Sequence, residues 1–161
     1  MLSDIVSCTS STLKECDLFA EGDCPAYGAG GLSGYTDICL SKQDSILITK
    51  DGSGVGALRY VHGLHSFVGT LNSLTARKGI YLPYVYYSLL NVNFATYKTG
   101  QAIPHIYFRD YGKESLYCPS FEEQKKLSKP LELLNAKIDN EIALLFILQN
   151  VKTYLLSTLF I

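Results

Sequence analysis

Chemistry in this chain would have to come from a glycine-rich turn, a pair of histidines, a few cysteines and a set of basic and aromatic loop residues. Gly52-Ser53-Gly54-Val55-Gly56 follows an apolar run and could cradle a phosphate, yet neither G-x-G-x-x-G nor the P-loop lysine pattern is present. A β-turn between two strands is the plainer reading. His62-Gly63-Leu64-His65 offers two imidazoles at a turn, without the neighbouring Cys, Asp or Glu that tetrahedral zinc would need. Cys24 and Cys118 each stand next to proline, with no evident histidine to activate them, and no G-x-S-x-G elbow occurs. Glu122-Glu123 are explained as favourable charges in a first helical turn. No catalytic residue, metal or cofactor is expected.

Binding chemistry is better represented. Lys50, Arg59, Arg77, Lys78, Lys98 and Arg109 alternate along the loops with Tyr60, Tyr81, Tyr97 and Tyr107, and with Ser53, Thr99, Gln101 and His105. Lysine and arginine can hold phosphates, while amide and guanidinium groups can read base edges. The same composition also fits a solvated surface with ordinary tyrosines.

The elements that must carry these groups are partly readable. Residues 22–34 are rich enough in glycine to predict an irregular exposed loop. Ser45-Ile46-Leu47-Ile48-Thr49, Ala57-Leu58-Arg59-Tyr60-Val61 and Ser66-Phe67-Val68 read as short strands, the first two joined through the Asp51-Gly52 turn. Residues 84–90, following Pro83, read as a helix, and residues 98–106, with Gly100 and Pro104, as a loop. Ser115-Leu116-Tyr117-Cys118 reads as a last strand ended by Pro119.

Ser120 and Glu123 then have the capping-box form that opens a helix. Pro130 would remove a hydrogen bond from a continuous helix, so a short helix followed by a long one is expected. From there Leu131, Leu134, Ile138, Ile142, Leu145 and Leu148 keep one face apolar, and Lys137, Asp139, Asn140 and Glu141 occupy the other. The step from 138 to 142 breaks a strict heptad. Such a stripe either packs on its own domain or forms a seam with a partner; residues 120–157 would extend roughly 57 Å as helix, well beyond a small domain's core.

The chain has 161 residues, 47% hydrophobic and 18% charged, which allows one domain plus an extension and argues against disorder. A formal net charge of −1 neither supports nor excludes a nucleic-acid partner, since a balanced chain can carry a local basic face. The cysteines number five and contain no C-x-x-C pair, which predicts no disulfide framework and fits a reducing cytoplasm. The first residues lack a basic n-region and an apolar h-region, so no signal peptide is expected. Residues 142–161 reach membrane-spanning length, but Lys152 near the middle costs roughly 2.5–3.5 kcal/mol on insertion, and no membrane partner is expected.

Four segments, in order, resemble the DNA-specificity (S) subunit of Type I restriction-modification systems. They are Ile46-Leu47-Ile48-Thr49-Lys50-Asp51-Gly52-Ser53-Gly54-Val55-Gly56, Tyr97-Lys98-Thr99-Gly100-Gln101-Ala102-Ile103-Pro104-His105-Ile106, Pro119-Ser120-Phe121-Glu122-Glu123-Gln124-Lys125-Lys126-Leu127, and Lys152-Thr153-Tyr154-Leu155-Leu156-Ser157-Thr158-Leu159-Phe160. The resemblance implies a mixed α/β (α+β) target recognition domain over residues 1–119 and a helical spacer and dimerisation arm over residues 120–161, pairing as an antiparallel coiled coil. It implies a non-catalytic protein that reads one half of a bipartite double-stranded DNA site and directs methyltransferase and restriction subunits. One domain-plus-helix unit is present where the family carries two, so pairing with a second copy or another half subunit is expected. Lys50, Ser53, Arg59, Lys98, Thr99, Gln101 and His105 are then the expected DNA-facing residues. Leu131, Leu134, Ile138, Ile142, Leu145 and Leu148 form the expected pairing seam. Two antiparallel arms would set the readers at most about 17 base pairs apart. The alternative is a helical adaptor or oligomerisation protein that never touches DNA.

Overall fold

β-branched and leucine side chains make Ser45–Thr49 (β4) the most deeply buried strand, and the fold is arranged around its two faces. A computed structural model of the chain describes residues 1–100 and 102–160. A four-stranded antiparallel sheet runs in the order β1 (Val6–Ser10), β7 (Leu71–Ala76), β4, β5 (Leu58–Val61). A three-stranded sheet runs β3 (Gly31–Thr36), β2 (Cys24–Gly28), β6 (Ser66–Phe67), with β2 and β6 parallel.

Alternation along β4 sends Ile46 and Ile48 into one apolar cluster with Leu74, Leu82, Val85 and Leu89, and Leu47 into another with Val61, Phe67 and Leu71. The first cluster glues helix α2 (Leu82–Leu89) onto the larger sheet; α1 (Leu2–Ile5) adds Leu2 and Ile5 to it, and α3 (Phe108–Tyr111) adds Tyr111. Pro83 in the first turn of α2 supplies the fixed φ that suits a helix start.

Residues 22–34 are not the irregular loop that their glycine content predicts, for β2 and the start of β3 form a hairpin there. Glycine serves close approach in this place: a Cβ on Gly34 would meet the Phe19 carbonyl oxygen at 2.7 Å, where Phe19 and Tyr35 exchange backbone hydrogen bonds. The hairpin also carries a Cys24–Cys39 disulfide, contrary to the expectation from an odd cysteine count. Parity says nothing about a single bridge once a fold brings two Cα atoms to 5.6 Å, and Cys8, Cys16 and Cys118 stay free. Residues 115–118 are not a strand; the chain crosses there to the last helix without ladder partners.

That helix, α4 (Phe121–Leu159), is continuous for 39 residues with Pro130 inside it. The expected break is absent. Pro130 and Lys126, whose carbonyl loses its donor, both lie on the exposed side, where water can replace the missing bond. Ser120 caps the helix as expected, with its Oγ accepting from the Glu123 N–H and the Ser120 N–H donating to Glu123 Oε2 at 3.1 Å.

Four side chains fasten α4 to the domain. Gln124, 1% exposed, accepts the Tyr81 N–H at 2.8 Å through Oε1 and donates from Nε2 to the Pro119 carbonyl at 2.9 Å. Ser128 is buried one turn later, Asn135 donates to Tyr87 Oη at 3.0 Å, and Phe121 packs edge-on to Tyr81 at 5.9 Å. Beyond Asp139 the helix is exposed on every side. Its outer part is long and apolar enough to cross a membrane by length and composition, with an 18-residue window of mean hydropathy 1.5 and none of it buried.

Candidate nucleic-acid interface

At the C-terminal end of β4 the chain turns through residues 50–56, and Gly52 and Gly56 take positive φ, +97° and +91°, to make the turn. Its hydrogen bonds run to a second loop. The Gly52 N–H donates to the Pro104 carbonyl and the Ile106 N–H to the Lys50 carbonyl, both at 2.9 Å, while the Lys50 N–H donates to Thr70. Asp51 thereby faces His105 as an isolated bridge pair.

The second loop closes on itself, with Thr99 and His105 exchanging N–H···O=C bonds at 2.9 Å in both directions. Gly100 has φ +86°, and a Cβ there would meet the Ile103 carbonyl oxygen at 2.5 Å, so this bend accepts no other residue without strain. The His105 ring stacks edge-on to Tyr107 at 4.8 Å, and the Arg109 guanidinium lies 4.7 Å from the Tyr107 centroid.

Lys50, Ser53, Lys98, Thr99 and His105 therefore share one loop pair, with Ser53, Lys98 and Thr99 exposed and Lys50 and His105 half-buried. Gln101 lies outside the described residues. Tyr107 and Arg109, part of the basic and aromatic pattern of the sequence but not of the expected DNA-facing set, extend the pair to α3, where the Arg109 guanidinium lies over the Tyr107 ring beside His105.

Arg59 stands apart. It is exposed on β5 and paired with Leu47, and a side chain at Gly31 would meet its guanidinium at 3.4 Å. It lines a groove of about 1010 Å³ between β5, α2 and α4 together with Asp44, Glu132 and Asp139. That excess of carboxylates suits a cationic neighbour better than a phosphate. Glu132 Oε1 is buried there without a hydrogen-bond partner among the described residues.

The two histidines of the turn at 62–65 serve different partners. Burial lowers the pKa of His65, which is 0% exposed; its Nδ1 donates to the Gly63 carbonyl at 2.9 Å, so Nε2 accepts from the Ser45 hydroxyl at 2.7 Å. His62 Nδ1 instead meets Asp44 Oδ2 at 3.0 Å, where Tyr60 Oη and the Gly63 N–H also donate. Burial alone would raise the Asp44 pKa, but these donors, the Gly63 N–H first, outweigh it and hold the carboxyl below the usual carboxylate value. The cluster ties the β4 and β5 ends together.

The expected seam residues are all exposed, from Leu131 at 42% to Ile142 at 60%. They do not pack on their own domain; the contacts with it are made nearer the start of α4 by Gln124, Ser128 and Asn135, which lie one or two heptads before Leu131 and Ile142 on the same side of the helix.

No family-level sequence model matches the chain, and no curated protein does. Among solved structures, the Type I restriction-modification system S subunit from M. genitalium superposes with a TM-score of 0.82 at 19% identity, over 99% of this chain and 44% of that one. A structure describing complex assembly and conformational transition of the type I R-M system matches at TM-score 0.65 and 16% identity, over 98% and 42%. The HsdS subunit from Thermoanaerobacter tengcongensis matches at 0.58 and 13%, over 86% and 37%. The chain thus spans less than half the length of the solved chains it matches. Both the sheet-bearing domain and the long terminal helix are covered, and the chain has the fold of Type I restriction-modification S subunits.

Proposed function

We propose that this protein is a non-catalytic DNA-specificity subunit that acts in the cytoplasm and recognises one half of a bipartite double-stranded target. Through α4 it seats methyltransferase subunits, which with restriction subunits perform the chemistry. The observation that carries this reading is the match to an S subunit over 99% of the chain, domain and helix together. The motifs at residues 46–56 and 97–106 support it, since they converge on one hydrogen-bonded loop pair that presents Lys50, Ser53, Lys98, Thr99 and His105.

The lysines hold phosphates and set register, while Thr99, Gln101 and His105 offer hydrogen-bonding groups for base edges. A second recognition unit reads the other half-site, and the two α4 arms set the separation.

The reading predicts binding to duplex DNA that weakens steeply with salt when methyltransferase subunits are present. Lys50→Ala with Lys98→Ala should weaken affinity for all sequences alike and reduce the salt slope by about one for each phosphate no longer neutralised, measured by fluorescence anisotropy. Binding that ignores salt, or no binding by the assembled complex, contradicts it.

A further inference from the structure

We infer that the face of the larger sheet turned away from α2 carries a phosphate-binding site, in a cavity of about 300 Å³ where Thr9, Ser73 and Thr75 meet Lys42 and Gln43. The inference goes beyond the reading of DNA by the loops at 50–56 and 97–106, and it stands whether or not those loops read it.

Alternation along β1 and β7 separates apolar from polar side chains. Val6 and Leu74 face the cluster under α2 and are fully buried, whereas Ser7, Thr9, Ser73 and Thr75 belong to the opposite face. On that face Leu47, Val61, Phe67 and Leu71 form the second apolar cluster, and beside Phe67 the lining changes to hydroxyls. The register sets Thr9 directly opposite Ser73, with Cα atoms about 4.5–5.5 Å apart, and Thr75 follows about 7 Å along the same strand face. Three hydroxyls thus surround the space of one small group. The segment leading into β4 forms the other wall and brings Lys42 and Gln43 to it.

Ser73 distinguishes this cavity from an ordinary polar surface. It is 2% exposed, yet its hydroxyl makes no hydrogen bond among the described residues and lines the cavity. The other buried serines have partners: Ser41 the Gln43 carbonyl at 2.9 Å, Ser45 the His65 Nε2 at 2.7 Å, Ser66 the Ile38 carbonyl, and Ser128 the Gln124 carbonyl at 2.8 Å. A buried hydroxyl without a partner is unfavourable, and an acceptor oxygen held in the cavity removes that cost. Lys42 makes no ion pair among the described residues, and it is the one charged group in the lining, which contains no carboxylate. The donors are therefore three hydroxyls, an ammonium and the Gln43 amide, around a single positive charge. That set selects an anion rich in acceptor oxygens: a phosphate group offers up to three, a carboxylate two. Phe67, 1% exposed, walls one side and keeps water from it, which strengthens the attraction between Lys42 and an anion. The phosphate comes either from a nucleic-acid backbone or from a free phosphate compound, two sources with the same chemistry.

Amide NMR of the isotope-labelled full chain, titrated with sodium phosphate at an ionic strength held constant with sodium chloride, tests the site. The amides of Thr9, Lys42, Ser73 and Thr75 should shift saturably. Lys42→Ala and Ser73→Ala should each weaken that binding at least about tenfold, since each removes a hydrogen bond to a charged group. Lys113→Ala, which removes an exposed lysine outside the cavity, should leave it unchanged. Lys42 is exposed and Ser73→Ala is nearly isosteric, so resonances remote from the cavity should keep their positions in both variants. No saturable shift at these four amides, or equal weakening by Lys113→Ala, overturns the proposal. The source is then read from the chain assembled with methyltransferase subunits, by fluorescence anisotropy on duplex DNA. A salt slope reduced by about one in Lys42→Ala assigns the site to the DNA backbone, and an unaltered slope assigns it to a free phosphate compound. Phosphate binding in an assembly that ignores DNA would keep the site and sink the proposed function; DNA recognition without a phosphate response at Ser73 would do the reverse.

Discussion

His65 illustrates how much of a residue's role is decided by neighbours distant in sequence. The motif His62-x-x-His65 reads as a possible ligand pair, but Ser45 and the Gly63 carbonyl take both nitrogens of His65, and Asp44 takes His62. Nothing in the local spacing reveals those partners. The buried neutral ring has a testable consequence: its pKa is lowered in the folded state, so as pH falls the unfolded chain takes the proton first. Its contribution to stability is complete above the ordinary histidine value of 6.5 and declines as pH drops from there towards the folded pKa. The melting temperature should therefore fall between pH 7.5 and 5.5, and His65→Gln should flatten that slope; an identical slope in both proteins would refute the assignment. The loop residues were more legible, since Gly100 and Pro104 mark the bend that sets Thr99 against His105. Tyr107 and Arg109 stood out as members of the basic and aromatic pattern, but only their stacking in the fold shows that they join this loop pair. The Cys24–Cys39 bridge was equally hidden, its partners being joined by a hairpin masked in glycine.

Among the elements, those with strong local patterning were readable: the apolar run of β4, the Pro83 start of α2 and the Ser120–Glu123 capping box. β1 and β7 escaped because their sequences, Val6-Ser7-Cys8-Thr9-Ser10 and Leu71-Asn72-Ser73-Leu74-Thr75-Ala76, mix polar residues into a buried sheet. Asn72 is 4% exposed and is made tolerable by Ser10 Oγ at 2.7 Å and Tyr111 Oη at 3.1 Å, partners supplied by tertiary structure. Pro130 misled for a related reason: its cost depends on whether the orphaned carbonyl meets water, and it lies on the wet side. The joint between α4 and the domain centres on Gln124, which joins the N-terminus of α2 to the Pro119 carbonyl. Gln124→Ala would strand the Tyr81 N–H and should destabilise the protein by about 2–3 kcal/mol in urea unfolding. A change below about 0.5 kcal/mol, the size of an ordinary surface substitution, would show that the joint lies elsewhere.

At the scale of the whole molecule, a mixed α+β domain carries one cluster of loops rich in hydrogen-bonding and basic groups, and projects a helix of 39 residues whose outer part touches nothing of its own chain. Under the proposed function, two such helices set a fixed separation between two recognition units. That geometry calls for a target of two short elements with an unread spacer of fixed length. Co-expression of the chain with methyltransferase subunits of a Type I system, followed by genome-wide mapping of methylated bases, tests this most directly. The account predicts a single bipartite, palindromic motif with constant spacing, altered or lost when Lys98, Thr99 and Gln101 are replaced together. Methylation that is absent, or that keeps the same motif whether or not the chain is present, would contradict it.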